Sequence, residues 1–232
     1  MTIQIPISPT PAASLSRILD NVPKGYTRYT SGTIKEDKLE TLIHKFIARH
    51  NIHASSAQRF NRKEKGQANA LLTLYLLPPK EDATLVTISD TVPWLLQFTS
   101  GELDSPETLT DVTEKPRLQW LGYELVRHAF RGKTSWTWRR SKADMEGLFG
   151  QLSELCNRQQ WRDVERFLQR TANQPGFHGV REQTYRLCQA AKQRGYDGPI
   201  PKLYYMQKIK HGEPVVLCSL TKNQPPPSKA LE

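Results

Sequence analysis

The chain has 232 residues, 37% of them apolar, with five tryptophans and a mean hydropathy of −0.61, which is enough for one sizeable packed domain or two small ones. Its 33 Lys and Arg against 23 Asp and Glu give a formal charge of +10 and a pI near 9.6, a balance that favours a polyanionic partner. No apolar run reaches the roughly 18 residues of a membrane span, and the start MTIQIPISPTPAASLSRIL lacks a signal peptide's basic and apolar regions, so a cytosolic protein with no membrane partner is expected.

Residues 1–14 hold Pro6, Pro9 and Pro11 among Ser and Thr and read as a disordered tail. From 15 to 99 an α/β subdomain is expected. GYTRYTSGTI reads as a strand, and KEDKLETLIHKFIARHNI as an amphipathic helix with Leu39, Leu42, Ile43, Phe46 and Ile47 at helical spacing. ALLTLYLLPPKEDATLVTI reads as two apolar strands around a Pro-Pro-Lys-Glu-Asp turn. This order is compatible with a sandwich of the ferredoxin or RNA-recognition type, although the aromatic consensus of the latter is absent.

Residues 100–116, SGELDSPETLTDVTEKP, are acidic and bounded by turn formers, as in a long loop or linker. From 117 to 220 a basic hairpin and a helical subdomain follow. Ser141 caps a helix carrying Met145, Leu148, Leu152 and Cys156, WRDVERFLQRTA forms a second, and GVREQTYRLCQAAKQRG a third that ends at Gly195. Residues 221–232, with three consecutive prolines, read as a second tail. The fold expected is α+β: a small N-terminal α/β sandwich, a basic β-hairpin and a C-terminal three-helix subdomain.

Charge is unevenly placed. Residues 1–110 hold 12 Lys and Arg against 11 Asp and Glu, while residues 111–232 hold 21 against 12. The stretch RHAFRGKTSWTWRRSK, residues 127–142, has six cations and no acid. A two-residue turn at Arg131-Gly132 or Gly132-Lys133 puts Trp136, Trp138 and Arg140 on one face with Tyr123, Leu125 and Arg127. The tryptophans are then expected to point inward as core. Arg127, Arg131, Lys133, Arg139, Arg140 and Lys142 are expected to face phosphates.

Arg162, Arg166 and Arg170 recur every four residues and form one helical stripe, with a solvated, salt-bridged face as the plainer alternative. Arg181, Arg186, Lys192 and Arg194 add to the third helix. KLYYMQKIK places Lys202, Lys208 and Lys210 around Tyr204 and Tyr205, which suits phosphate contact with base stacking or, equally, an edge strand.

Chemistry is sparse. No P-loop, dinucleotide fingerprint or H-E-x-x-H is present, no cofactor is implied, and nothing pairs two carboxylates for two-metal work. Cys156, Cys188 and Cys218 form no C-x-x-C pair and read as reduced, partly buried thiols. His50 and His53 are close in sequence but have no third ligand, so no metal site is expected. His128, between Arg127 and Arg131, is the histidine best placed to act as a base on a ribose 2′-hydroxyl.

Thr134 to Lys142 with its W-T-W-R core, PGFHGVREQ (175–183) and PIPKLYYMQK (199–208) resemble accessory proteins encoded on plasmids and integrative conjugative elements. The resemblance implies a bacterial mobile-element context and brings no catalytic residues. The expected function is non-enzymatic nucleic-acid binding, to DNA or RNA, with further nucleoprotein subunits as possible partners. Two rivals are an RNA-binding or RNA-processing component of a ribonucleoprotein, and an interaction module that docks an acidic protein.

Overall fold

The computed structural model describes residues 4–8, 10–76, 91–130, 132–205 and 214–216. The chain divides into two compact units, residues 1–111 with 210–232, and residues 112–209. The first contains β1 (Gln4–Ser8), α1 (Pro11–Asn21), β2 (Arg28–Lys35), α2 (Leu39–His50), α3 (Ser56–Glu64), β3 (Ala70–Tyr75), β4 (Thr91–Phe98) and β5 (Thr110–Asp111). The second contains β6 (Gln119–Trp120), β7 (Tyr123–Phe130), β8 (Lys133–Arg140), α4 (Lys142–Asn157), α5 (Trp161–Ala172) and α6 (His178–Gln193). A last strand, β9 (Pro214–Val216), returns to the first unit. The whole is an α+β fold.

The first unit is built on one sheet in the order β5-β2-β4-β3-β1-β9. Only β1 and β3 run parallel among the described pairs. The nearly continuous apolar runs of β3 and β4 suit central strands covered on both faces. Leu72, Leu74, Leu96 and Phe98 pack with Leu39, Leu42, Ile43 and Phe46 of α2. Gln97, one residue out of phase, turns instead to α1. Its amide donates to the carbonyls of Ile18 and Tyr26 at 3.3 Å and accepts from Asn21 Nδ2 at 3.1 Å. Helices therefore lie on both faces. Because α2 and α3 follow one another between β2 and β3, the element order differs from the β-α-β-β-α-β ferredoxin plan.

Residues 4–8 and 10–14, expected to belong to a tail, are built into the fold. Ile5 and Ile7 are buried in the core, and β1 pairs with β3 and β9. Thr10 then caps α1, accepting the Ala13 N–H at 3.1 Å, with Pro11 in the first turn where a missing N–H costs nothing. A composition rich in Pro, Ser and Thr here encodes a strand and a capped helix. The Pro-Pro-Lys-Glu-Asp turn and the strand expected after it lie outside the described residues, as do Cys218 and the C-terminal triple proline.

In the second unit β6, β7 and β8 form an antiparallel sheet in that order. Tyr123 pairs with Arg140, Leu125 with Trp138, Arg127 with Trp136 and Phe130 with Lys133, the register expected of a two-residue connection. Gly132 has φ +75°, which a two-residue hairpin turn favours. Trp138 is completely buried, while Trp136 is only partly covered. The Ser141 hydroxyl accepts the Asp144 N–H at 3.1 Å and starts α4. Met145, Leu152 and Cys156 of α4 then pack with Val164, Phe167 and Leu168 of α5 and Leu187, Cys188 and Ala191 of α6. Gly195, at φ +92°, closes the chain after α6.

Candidate functional site

The first turns of α6 are held hard against β8. At Gly179 an added Cβ would lie 2.6 Å from the Trp138 carbonyl oxygen and 3.0 Å from Cβ of Arg139, so only glycine permits this approach. The Gly179 N–H, which has no partner within the helix, donates to the Thr137 hydroxyl at 3.2 Å. Gln183 then pairs with the strand: its Oε1 accepts the Arg140 N–H at 2.8 Å, and its Nε2 donates to the Arg140 carbonyl at 3.0 Å. Helix and strand edge are thereby fixed together at three backbone points.

That clamp brings His178 and Glu182, one turn apart on α6, to His128 of β7. One ligand atom from each of the three lies within 4.8 Å of the others. The two imidazoles stack with centroids 4.0 Å apart and planes tilted by 37°. Partial burial, the neighbouring His128 ring and Arg181 together lower the His178 pKa against the pull of Glu182, favouring the neutral ring. A cleft of about 120 Å³ opens beside them, lined by His128 and Glu182 and by Arg127, Arg139 and Arg186. Arg186 pairs with Glu182, and Arg139 with Glu124 at 3.4 Å.

The expected phosphate-facing residues separate into distinct environments. Arg127 is exposed and lies over the Trp136 ring at 5.3 Å. Arg139 is half-exposed, and Lys142 is exposed beside Glu146 at 3.6 Å. Arg140 corrects the expectation. It is 2% exposed, and its Nε donates to Gln174 Oε1 at 2.7 Å, with Asp144 at 3.7 Å and the Thr171 carbonyl within reach of Nη2. Burial lowers its pKa. Arg140 is a structural cation that ties β8 to α4 and to the chain after α5, so it cannot contact phosphate.

Arg162, Arg166 and Arg170 are all exposed along α5. Arg166 pairs with Asp163 at 3.3 Å and Arg170 leans on Phe167 and Gln151, whereas Glu165 is taken by Gln169 at 3.1 Å. Tyr204 and Tyr205, 63% and 72% exposed, each carry a cation over the ring, Lys202 at 5.3 Å and Arg181 at 3.3 Å. Residues 201–205 form no strand. Arg131, Lys208, Lys210 and the Lys133 side chain lie outside the described residues.

His50 serves the fold. It is 3% exposed, its Nε2 meets Glu107 Oε1 at 3.1 Å, and its ring sits edge-on to Phe98 at 5.1 Å, leaving His53 exposed beyond the helix end. Sequence spacing drew attention to this pair and missed His178 and Glu182. Their only local sign is a His and a Glu four apart at a helix start, and the third member stands on a distant strand. No family model, curated protein or solved structure matches this chain.

Proposed function

We propose that this is a nucleic-acid-binding accessory protein of a bacterial mobile genetic element, acting in the cytoplasm, and that the second unit carries the binding surface. The observation that supports it is the segregation of charge. Residues 112–209 hold 18 Lys and Arg against 9 Asp and Glu, while the first unit holds 15 against 14. A compact unit bearing nearly all the excess charge repels itself, and a polyanion relieves that repulsion. The cleft adds a local concentration of guanidinium groups from Arg127, Arg139 and Arg186, suited to bidentate phosphate contacts. Exposed Tyr204 and Tyr205 offer ring faces to unpaired bases. Among the described residues no helix is long and apolar enough to cross a membrane.

The test reverses charge at two positions outside the buried core. Arg127→Glu with Arg139→Glu should remain folded, at a modest cost in thermal stability of about 1 kcal/mol because Glu124 then faces a like charge across the strands. It should also weaken binding to DNA and RNA oligonucleotides of any sequence and reduce the salt slope by about 1 per lost contact. Parental affinity in this folded double variant would refute the reading.

A further inference from the structure

We propose that His128, His178 and Glu182 bind one divalent transition-metal ion on the second unit. The proposal rests on donor identity and placement, and it stands whether or not the partner of this unit is nucleic acid. Two imidazole nitrogens and a carboxylate oxygen already lie within 4.8 Å of one another, so small side-chain rotations bring them around a single ion. The pattern of a pair one turn apart on a helix and a third donor from elsewhere fixes two ligands relative to each other before metal arrives.

The scaffold beneath the donors is stiff where it matters. Gly179 sits against the Trp138 carbonyl, its N–H is held by Thr137, and Gln183 grips the backbone of Arg140. His178 and Glu182 flank these anchor points, so their backbone positions are set by the sheet. Arg186 pairs with the Glu182 carboxylate, the kind of outer partner that orients a ligating group.

Ion selection follows from the donors. Two imidazoles disfavour Mg²⁺ and Ca²⁺, which take oxygen ligands, while a two-histidine, one-carboxylate set suits Zn²⁺ and Fe²⁺ and leaves a coordination position open. Arg127, Arg139 and Arg186 line the cleft beside His128 and Glu182, and the charge of Arg181 acts on His178. These cations oppose a bare dication and favour an anionic oxygen, such as one from a phosphate, in the open position.

The test is calorimetric titration of Zn²⁺ into the untagged, chelator-stripped full chain near neutral pH, with an anaerobic Fe²⁺ titration to separate the two metals. One saturable site is expected, insensitive to excess Mg²⁺ and strengthened by inorganic phosphate. His178→Ala and Glu182→Gln should each weaken it by roughly 100-fold, beyond or at the limit of what losing an outer partner costs. His178 lies outside the buried core, partly covered by the His128 ring, so its removal leaves the core intact, and circular dichroism melts verify that both variants fold. Absence of saturable binding of either metal, or a site of parental affinity in both folded variants, would overturn the proposal.

Discussion

Substituting Gly179 by alanine isolates the contact on which the whole site depends. In an open helix the change stabilises, because alanine exceeds glycine in helix propensity by about 1 kcal/mol. Here the new methyl carbon would stand 2.6 Å from the Trp138 carbonyl oxygen, 3.0 Å from Cβ of Arg139 and 3.3 Å from Cγ2 of Thr137. Two of these neighbours are backbone or next to it, so α6 must retreat. Such overpacking costs about 1–3 kcal/mol. Retreat also stretches the Gly179 to Thr137 bond and the two bonds between Gln183 and Arg140, each worth about 1 kcal/mol net. With one or two of them lost, the balance is a destabilisation of about 2 kcal/mol. For a unit of this size that lowers Tm by roughly 8–16 °C.

Gly147→Ala supplies the opposite sign from the same chemical change. It lies within α4, and nothing stands within 4 Å of the added Cβ, so stability should rise by up to about 1 kcal/mol. Intrinsic fluorescence is the natural assay, since Trp120, Trp136, Trp138 and Trp161 all belong to the second unit and only Trp94 to the first. A Gly179→Ala protein as stable as the parent would show that α6 is not clamped to β8 as described.

Arg140→Ala should cost about 2–4 kcal/mol in denaturant unfolding, because a buried side chain with charged hydrogen bonds is removed and Gln174 Oε1 keeps only the Tyr123 hydroxyl of its two partners. Its affinity for nucleic acid under conditions where it is folded should match the parent, in contrast to Arg139→Glu. Stability of the second unit should also fall as pH drops below the ordinary histidine range. His178 is held below its usual pKa by partial burial, by His128 and by Arg181, so the unfolded chain takes up the proton first. The resulting loss begins as pH falls through the unfolded value, about 6.5, and levels off below the folded one. His178→Ala should flatten this part of a pH-dependent melting series, and an unchanged profile would contradict the assignment.

Much of the second unit was legible because alternation and helical spacing coincide with burial. The pairing of Leu125 with Trp138 and Arg127 with Trp136 follows from a two-residue turn, and Ser141, Gly195 and the apolar stripes mark the helices between them. Arg140 was misjudged because a strand pattern says which residues share a face but not what covers it. The cover comes from Met145, Thr171 and Gln174, on α4, at the end of α5 and in the loop beyond. The first strand was hidden by prolines, which are tolerated in a short strand and at a helix start. α3 buries none of its residues, so it offers no apolar stripe and is marked only by the Ser55–Gln58 capping box. The histidine cluster joins β7 to α6, and no local spacing encodes such a meeting.

Salt-dependent binding tests the central claim most directly. The full chain is titrated against labelled single- and double-stranded oligonucleotides by fluorescence anisotropy over a range of salt concentrations. A phosphate-binding second unit predicts a linear fall of log affinity with log salt, reaching about 10³–10⁵-fold between roughly 50 and 200 mM if six to ten phosphates are neutralised. Failure to bind any of these oligonucleotides at low salt, or an affinity unmoved by salt, would contradict it and point the basic face towards a different acidic partner.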